Sequence, residues 1–436
     1  MPFPSDFVWG VATAAYQIEG AASEGGRRPS VWDTFCRTPG RIREGHTGEA
    51  ACDHYHRFEQ DFDLMANLGI RHYRFSIAWP RVLPDGRGVV NEDGVDFYRR
   101  LLDAMQRRGI TPYATLFHWD SPQALEDEFG SWRSRRMAAC FADYCAEVVR
   151  RLGDRIHDWM TINEIANFTH LGYGVGKIPA HAPGTVVETR EEVRQTVHHA
   201  LLAHGLGAQA VRAASPGPCR VGVVVDPEVC VPLVETPEHI QATAAEFRRR
   251  NGGILMPMLT GEYLAAGPPE IREGDLSTIR QPLDFVGLNI YQGHYVRAGP
   301  ESLAHPPGYP RLQLEWNRLV PEAIYWGVRS VSEVYEGPIL IMENGGACDD
   351  RLVAGEVIDT DRIMVLRQNL RNALRAVDEG YPLRGFFVWS LLDNFEWSWG
   401  YTRRFGLVYT DFATQKRIPK ASAQWYSEVA RSNRIV

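Results

Sequence analysis

Eight short, almost uninterrupted apolar runs recur along this chain, with helical patterns between many of them. They are FVWGVATA from Phe7, HYRFSIAW from His72, TPYATLFHW from Thr111, IHDWMTI from Ile156, RVGVVVD from Arg220, DFVGLNIY from Asp284, PILIMEN from Pro338 and GFFVWSL from Gly385. The intervening pattern predicts helices such as Asp96 to Arg108, Ala138 to Leu152, Glu191 to Ala214 and Thr360 to Glu379. A strand reads as continuously apolar when both of its faces are covered, and alternation with helices makes the sheet parallel. Eight such units predict a closed barrel rather than an open doubly wound sheet. A length of 436 residues would by itself suggest more than one domain, but α/β barrels often exceed that prior. No linker or low-complexity segment divides the chain. The expected fold is therefore α/β, a single (β/α)8 TIM barrel over residues 1–436. The Pro/Gly-rich stretch from Ala298 to Pro310 is expected to be a long loop after the sixth strand.

Composition removes several function classes. The net charge is −7 and the basic residues are scattered, which argues against a nucleic-acid surface. Seven cysteines form no CxxC pair, a usage that suits free thiols in a reducing, cytoplasmic setting. The N-terminal residues lack the character of a signal peptide, and no apolar stretch reaches membrane-spanning length. No phosphate loop or dinucleotide fingerprint is present, so no cofactor is expected. His54 and His56 lie too close in sequence to share a helical face, so no metal site is expected either. The partners expected are small molecules, with no nucleic acid and no membrane; the sequence does not set the oligomeric state.

In a (β/α)8 barrel the chemistry sits at the C-terminal ends of the strands. The polar and aromatic residues ending these runs include Gln17, Glu19, Arg74, His118, Trp119, Asn163, Glu164, Asn289, Tyr291, Glu343 and Trp389. Hydrogen-bonding groups and aromatic faces together suit a sugar. Two of these residues, Glu164 and Glu343, are carboxylates that a sheet interior cannot hold cheaply, so their place is the barrel mouth. A pair of carboxylates there is what glycosidic cleavage requires: one protonates the leaving oxygen, and the other attacks or activates water at the anomeric carbon.

At this point the chain resembles family 1 of the glycoside hydrolases, the β-glucosidase-type enzymes. FVWGVATAAYQIEGA resembles the N-terminal signature, and RFSIAWPRVLPDGRGVVNEDGVDFY and LFHWDSPQALEDEFGSW the second and third strand regions. TINE resembles the acid/base motif and IMENG the nucleophile motif, while VWSLLDNFEWSWGYTRRFGLVYTDF matches the C-terminal sugar-binding segment. The resemblance implies a retaining β-glucosidase with a covalent glycosyl-enzyme intermediate, acting on β-glycosides and oligosaccharides. It implies Glu164 as general acid/base and Glu343 as nucleophile. Asn163 would hold the 2-hydroxyl. Gln17, His118, Glu396 and Trp397 would bind the other hydroxyls, with Trp389 as stacking floor. Arg74 and Tyr291 would contact the nucleophile, with Asn289 in support. Arg74 should keep Glu343 ionised, and the charge of Glu343 should help keep Glu164 protonated.

The chain also departs from the family pattern. Ile165 replaces the proline after the acid/base, and Ala166 is small. Asn317 stands where the family has an aglycone-site tryptophan, and Trp316 comes one residue early. A gap in the entrance wall is expected from this, with Phe168, His170, Leu171, Tyr173 and Trp316 as candidates to line the aglycone side. Glu396 stands where 6-phospho-β-glycosidases carry serine, and its charge is expected to repel a phosphate. A non-catalytic sugar-binding barrel is disfavoured because both glutamates are kept.

Overall fold

The computed structural model describes residues 2–264, 267–299 and 303–436. Eight strands close into a parallel barrel: β1 (Val8–Ala12), β2 (His72–Ser76), β3 (Thr111–Phe117), β4 (Asp158–Asn163), β5 (Arg220–Val225), β6 (Phe285–Asn289), β7 (Ile339–Asn344) and β8 (Leu383–Trp389). Each pairs with its chain neighbour, and β1 closes the ring on β8 with Ala12 opposite Trp389. All eight predicted strands are present. The four predicted helices are also found, at Glu92–Arg107, Arg136–Leu152, Arg190–Ala214 and Thr360–Asp378. The longest begins with a reciprocal cap in which the Thr189 hydroxyl accepts from the Glu192 amide and the Glu192 carboxylate accepts from the Thr189 amide. Short two-stranded ladders decorate the outside, among them Cys230–Pro232 with His294–Val296. Within the expected loop after β6, residues 300–302 lie outside the described residues, and 303–310 form neither helix nor strand. No helix among the described residues is long and apolar enough to cross a membrane.

The core has two layers. One lies between sheet and helices, and the other fills the lumen with Tyr113, Met160, Val224, Phe285, Leu340, Met342, Phe387 and Trp389. Bulky lumen side chains need small partners at the same level. A Cβ on Gly10 would sit 2.3 Å from the Phe387 ring, and one on Gly222 would sit 2.5 Å from the Phe285 ring. Neither neighbour is a flexible chain end, so an alanine at either position would displace the lumen layer.

Strict strand alternation would spoil the mouth of this barrel. Met342 points into the lumen, so the next residue, Glu343, should face the helices. Met160 likewise points inward while Thr161 meets His204 on the outside, which should send Asn163 outward as well. The register shifts in both places. One irregularity lies between Met160 and Asn163 against β5, and another between Ile341 and Glu343 against β6. Such bulges re-aim side chains by one position. They turn Asn163 and Glu343 to the mouth, and Asn344 outward to Asn369.

Candidate active site

The C-terminal ends of the strands open into a cavity of about 460 Å³. Its walls include His118, Trp119, Glu164, Asn289, Tyr291, Glu343, Trp389, Glu396 and Trp397. Three of these, Trp119, Glu164 and Trp397, have φ of +76°, +47° and +45°. A left-handed backbone costs a non-glycine residue about 1–2 kcal/mol, and such strain concentrates at functional sites.

Glu343 is buried and held from two sides. Arg74 Nη1 donates to its Oε1 at 2.5 Å, and the Tyr291 hydroxyl donates to its Oε2 at 2.8 Å. Arg74 spends its other donors on Asn163 Oδ1 at 2.6 Å and Thr115 Oγ1 at 3.2 Å, so one fully buried guanidinium fixes two site residues. Burial, the largest effect, leaves the Glu343 carboxyl above its usual range, and Arg74 and Tyr291 offset part of that rise.

Glu164 has no such cation. Its Oε1 accepts from Asn289 Nδ2 at 2.6 Å and its Oε2 from Asn167 Nδ2 at 2.7 Å. Burial, then the charge of Asp226, then that of Glu343 hold its carboxyl well above the usual range. Asn289 is the register partner of Glu343, and its side chain also helps to stabilise the Glu343 carboxylate. One amide therefore serves both glutamates. The site thus separates two carboxyls by environment: one paired with a guanidinium, the other left with amides and like charges.

The expected sugar-binding residues gather around this pair. His118 lies nearly parallel to Trp389 and to Trp397, with ring centroids at 5.8 and 6.0 Å. Burial and Arg74 keep its imidazole far below the usual range, so it is neutral. Its Nε2 meets Asn163 Nδ2 at 3.3 Å. Gln17 is fully buried and donates to the Phe395 carbonyl at 2.8 Å. Among the described residues four buried polar atoms here lack a protein partner: Gln17 Oε1, His118 Nδ1, Asn289 Oδ1 and Glu396 Oε2. Leaving such groups unpaired costs about 1–3 kcal/mol each, and a polyhydroxylated ligand is suited to pairing them. Glu396 departs from the expectation of a standing negative charge. Burial and the charge of Glu343 push its carboxyl up to about 8, so it is mostly neutral at pH 7 in the empty cavity and repels an anion less than supposed.

The aglycone side needs correction. Leu171 and Trp316 line the cavity, both more than a third exposed. Phe168 does not; it is buried against Phe117 and Trp132, because the inward face of helix Ile165–His170 runs through Ile165 and Phe168. Tyr173 is likewise buried in the outer core. His170 faces a neighbouring cavity, which Ala166 also lines. Trp316 takes its expected place in the wall. Trp316 stands edge-on to Tyr291 with centroids 5.8 Å apart, while Asn317 turns inward and donates to the Tyr291 carbonyl at 3.2 Å. A one-residue shift in a loop is absorbed by the side chain's reach.

Residues missed by the sequence reading also belong to the site. Asn167 bridges Glu164 Oε2 and, at 3.1 Å, Asp226 Oδ2. Asp226 ends the fifth apolar run, so it carried the same signal as the two glutamates, a carboxylate at a strand mouth. His181 and Trp399 complete the wall beside Trp119, already expected at the end of the third run, whose Nε1 donates to the Asn163 carbonyl at 2.9 Å.

Comparison with known proteins agrees with this geometry. A sequence model described as Glycosyl hydrolase family 1 matches residues 1–435. Beta-glucosidase A of Thermotoga maritima is 42% identical, over 99% of this chain and 98% of its own length. A beta-glucosidase of Agrobacterium sp. is 40% identical, over 98% of this chain and 95% of its own. The solved structure of the Thermotoga maritima beta-glucosidase with glucoimidazole superposes with a TM-score of 0.90 at 40% identity, covering all of both chains. With a barrel mouth holding two differently supported glutamates and a family match over nearly its full length, this chain belongs to glycosyl hydrolase family 1.

Proposed function

We propose that the chain, folded as one (β/α)8 unit, is a retaining β-glucosidase in which Glu343 is the nucleophile and Glu164 the acid/base. The observation that carries the assignment is the asymmetry of support. Arg74 and Tyr291 stabilise the ionised form of Glu343, whereas Glu164 sits among amides and like charges that favour its proton. A nucleophile must start charged and a general acid must start protonated. In the first step a Glu343 oxygen bonds the anomeric carbon, the glycosidic bond breaks, and the leaving oxygen takes the proton of Glu164. Esterified Glu343 has lost its charge, so Glu164 now gives up a proton more readily. It accepts one from the water that attacks the anomeric carbon and releases Glu343. Service of both carboxyls by the single Asn289 amide favours the retaining separation of about 5–5.5 Å over the wider inverting one.

Trp389, Trp397 and His118 form the aromatic bed of the sugar, with Gln17, Asn163 and Glu396 as hydroxyl partners. Relatives named beta-glucosidase support glucosides as substrates. The bifunctional beta-D-glucosidase/beta-D-fucosidase of Bifidobacterium breve, 39% identical, adds fucosides to the candidates. The free state of all seven cysteines supports a reducing, cytoplasmic setting. The test is Glu343→Gly. Turnover of ordinary glucosides should vanish, and azide should restore an α-glucosyl azide product. Glu164→Ala with azide should give the β-product; a β-product from Glu343→Gly would reverse the two roles.

A further inference from the structure

A third carboxyl completes the acid end of this site. Asp226 lies just beyond β5, on the wall shared by the main cavity and a neighbouring one of about 250 Å³. Asn167 Nδ2 contacts Glu164 Oε2 at 2.7 Å and Asp226 Oδ2 at 3.1 Å, so one nitrogen ties the two carboxyls together. Among the described residues Asp226 forms no ion pair. Arg250, which lines the same second cavity, is taken by Glu228 at 2.6 Å and by Glu246 at 2.7 Å. We propose that Asp226 is a positioning residue whose charge, held next to Glu164 across the shared Asn167 amide, keeps the proton on Glu164 and so sets the alkaline limit of catalysis. The proposal rests on the reading of Glu164 as general acid.

The surroundings permit this. Around the pair, Glu343 acts from β7 and Glu228 from the same loop, both negative. Arg194, His170 and Tyr263 face Asp226 across the second cavity, and His294 lies on the entrance side. Burial and the charges of Glu343 and Glu228 move the Asp226 carboxyl up to about 7. Asp226 is therefore ionised on the alkaline side of neutrality, where its charge is needed. An ionised neighbour raises the carboxyl of Glu164, so removing that charge lowers it. The two groups titrate as a coupled pair, and the enzyme's alkaline limb reports the pair.

The experiment compares pH profiles of kcat/KM on cellobiose for the parent, Asp226→Asn and Asn167→Ala, with melting curves as a folding check. Asp226→Asn, which keeps the shape and drops the charge, should move the alkaline limb down by about one pH unit. Asn167→Ala removes a donor that favours ionised Glu164, so it should move the limb up. Profiles on a dinitrophenyl glucoside, whose departure needs no proton, should shift little. Activity lowered by Asp226→Asn with the alkaline limb in place would overturn the proposal and leave Asp226 a structural residue. Failure of the underlying reading is distinguishable: Glu164→Gln would then still show an alkaline limb on cellobiose and equal losses on both substrates.

Discussion

Among the described residues Arg74 is the one cation paired with either glutamate, and its removal tests the charge argument directly. In the Arg74→Met variant Glu343 stays buried and keeps only the Tyr291 hydroxyl among its two strong partners. A guanidinium and a carboxylate in direct contact have charge centres about 4 Å apart; at an effective dielectric of about 20 their attraction is about 4 kcal/mol. That upper figure corresponds to about three pH units, and observed shifts from one adjacent opposite charge run from about 1 to 3. The nucleophile works ionised. Its activity is lost as pH falls through its pKa, so raising that pKa moves the acidic limb of kcat/KM upward. At a pH on the acidic limb of the parent, Arg74→Met should lose about 10- to 1,000-fold, and part of the loss should return as pH rises. Arg74→Lys separates charge from geometry. Lysine keeps the positive charge but cannot span Glu343 and Asn163 as the guanidinium does. Its acidic limb should stay near that of the parent, while kcat/KM falls about 10- to 100-fold for one charge-assisted hydrogen bond of about 1.5–3 kcal/mol. The assay is initial rates on an aryl glucoside across pH, with melting curves to confirm folding. An acidic limb in Arg74→Met within about 0.3 unit of the parent would refute the claim that Arg74 sets the ionisation of Glu343.

Glu396→Gln should cost about tenfold in kcat/KM on glucosides at pH 6, where both side chains are neutral in the empty cavity, and more above pH 8, where only the glutamate ionises. A penalty that shrinks with rising pH contradicts this. Trp316→Ala should weaken cellobiose about fivefold more than an aryl glucoside, because the lost face stacks on the second sugar and is worth about 1 kcal/mol. Equal losses on both substrates would show that Trp316 does not contact that sugar.

The barrel was legible because its strands are covered on both faces and so read as continuous apolar runs. The sites of Glu164 and Glu343 were legible from chemistry and from their motifs. Strand periodicity would have misled, since alternation after Met342 sends Glu343 outward. Only the paired register tells that the strand bulges there, and pairing is a property of two distant segments. Phe168 and Tyr173 were misassigned for a related reason. Nearness in sequence to Glu164 does not fix which side chains look at the cavity: the core claims Phe168 on helix Ile165–His170 and Tyr173 on the short strand that follows. Trp316 and Leu171, offered as lining residues, do line the cavity, where side-chain reach decides the matter in a loop with no period to read.

Asp226 is the instructive omission. The rule that found the glutamates, a carboxylate ending an apolar run, applied to it equally. On the proposed reading, two carboxylates are not enough to divide the labour. Both glutamates are buried, and burial alone raises both. Their roles separate only through what each touches next. Arg74 comes from β2 to one of them, while Asn167 and Asp226 come from the segments after β4 and β5 to the other. With Tyr291 from the segment after β6, the residues that set the two carboxyls apart come from four different units of the barrel. A glutamate's role in this mouth is written less in its own motif than in the sign of the nearest charge behind it.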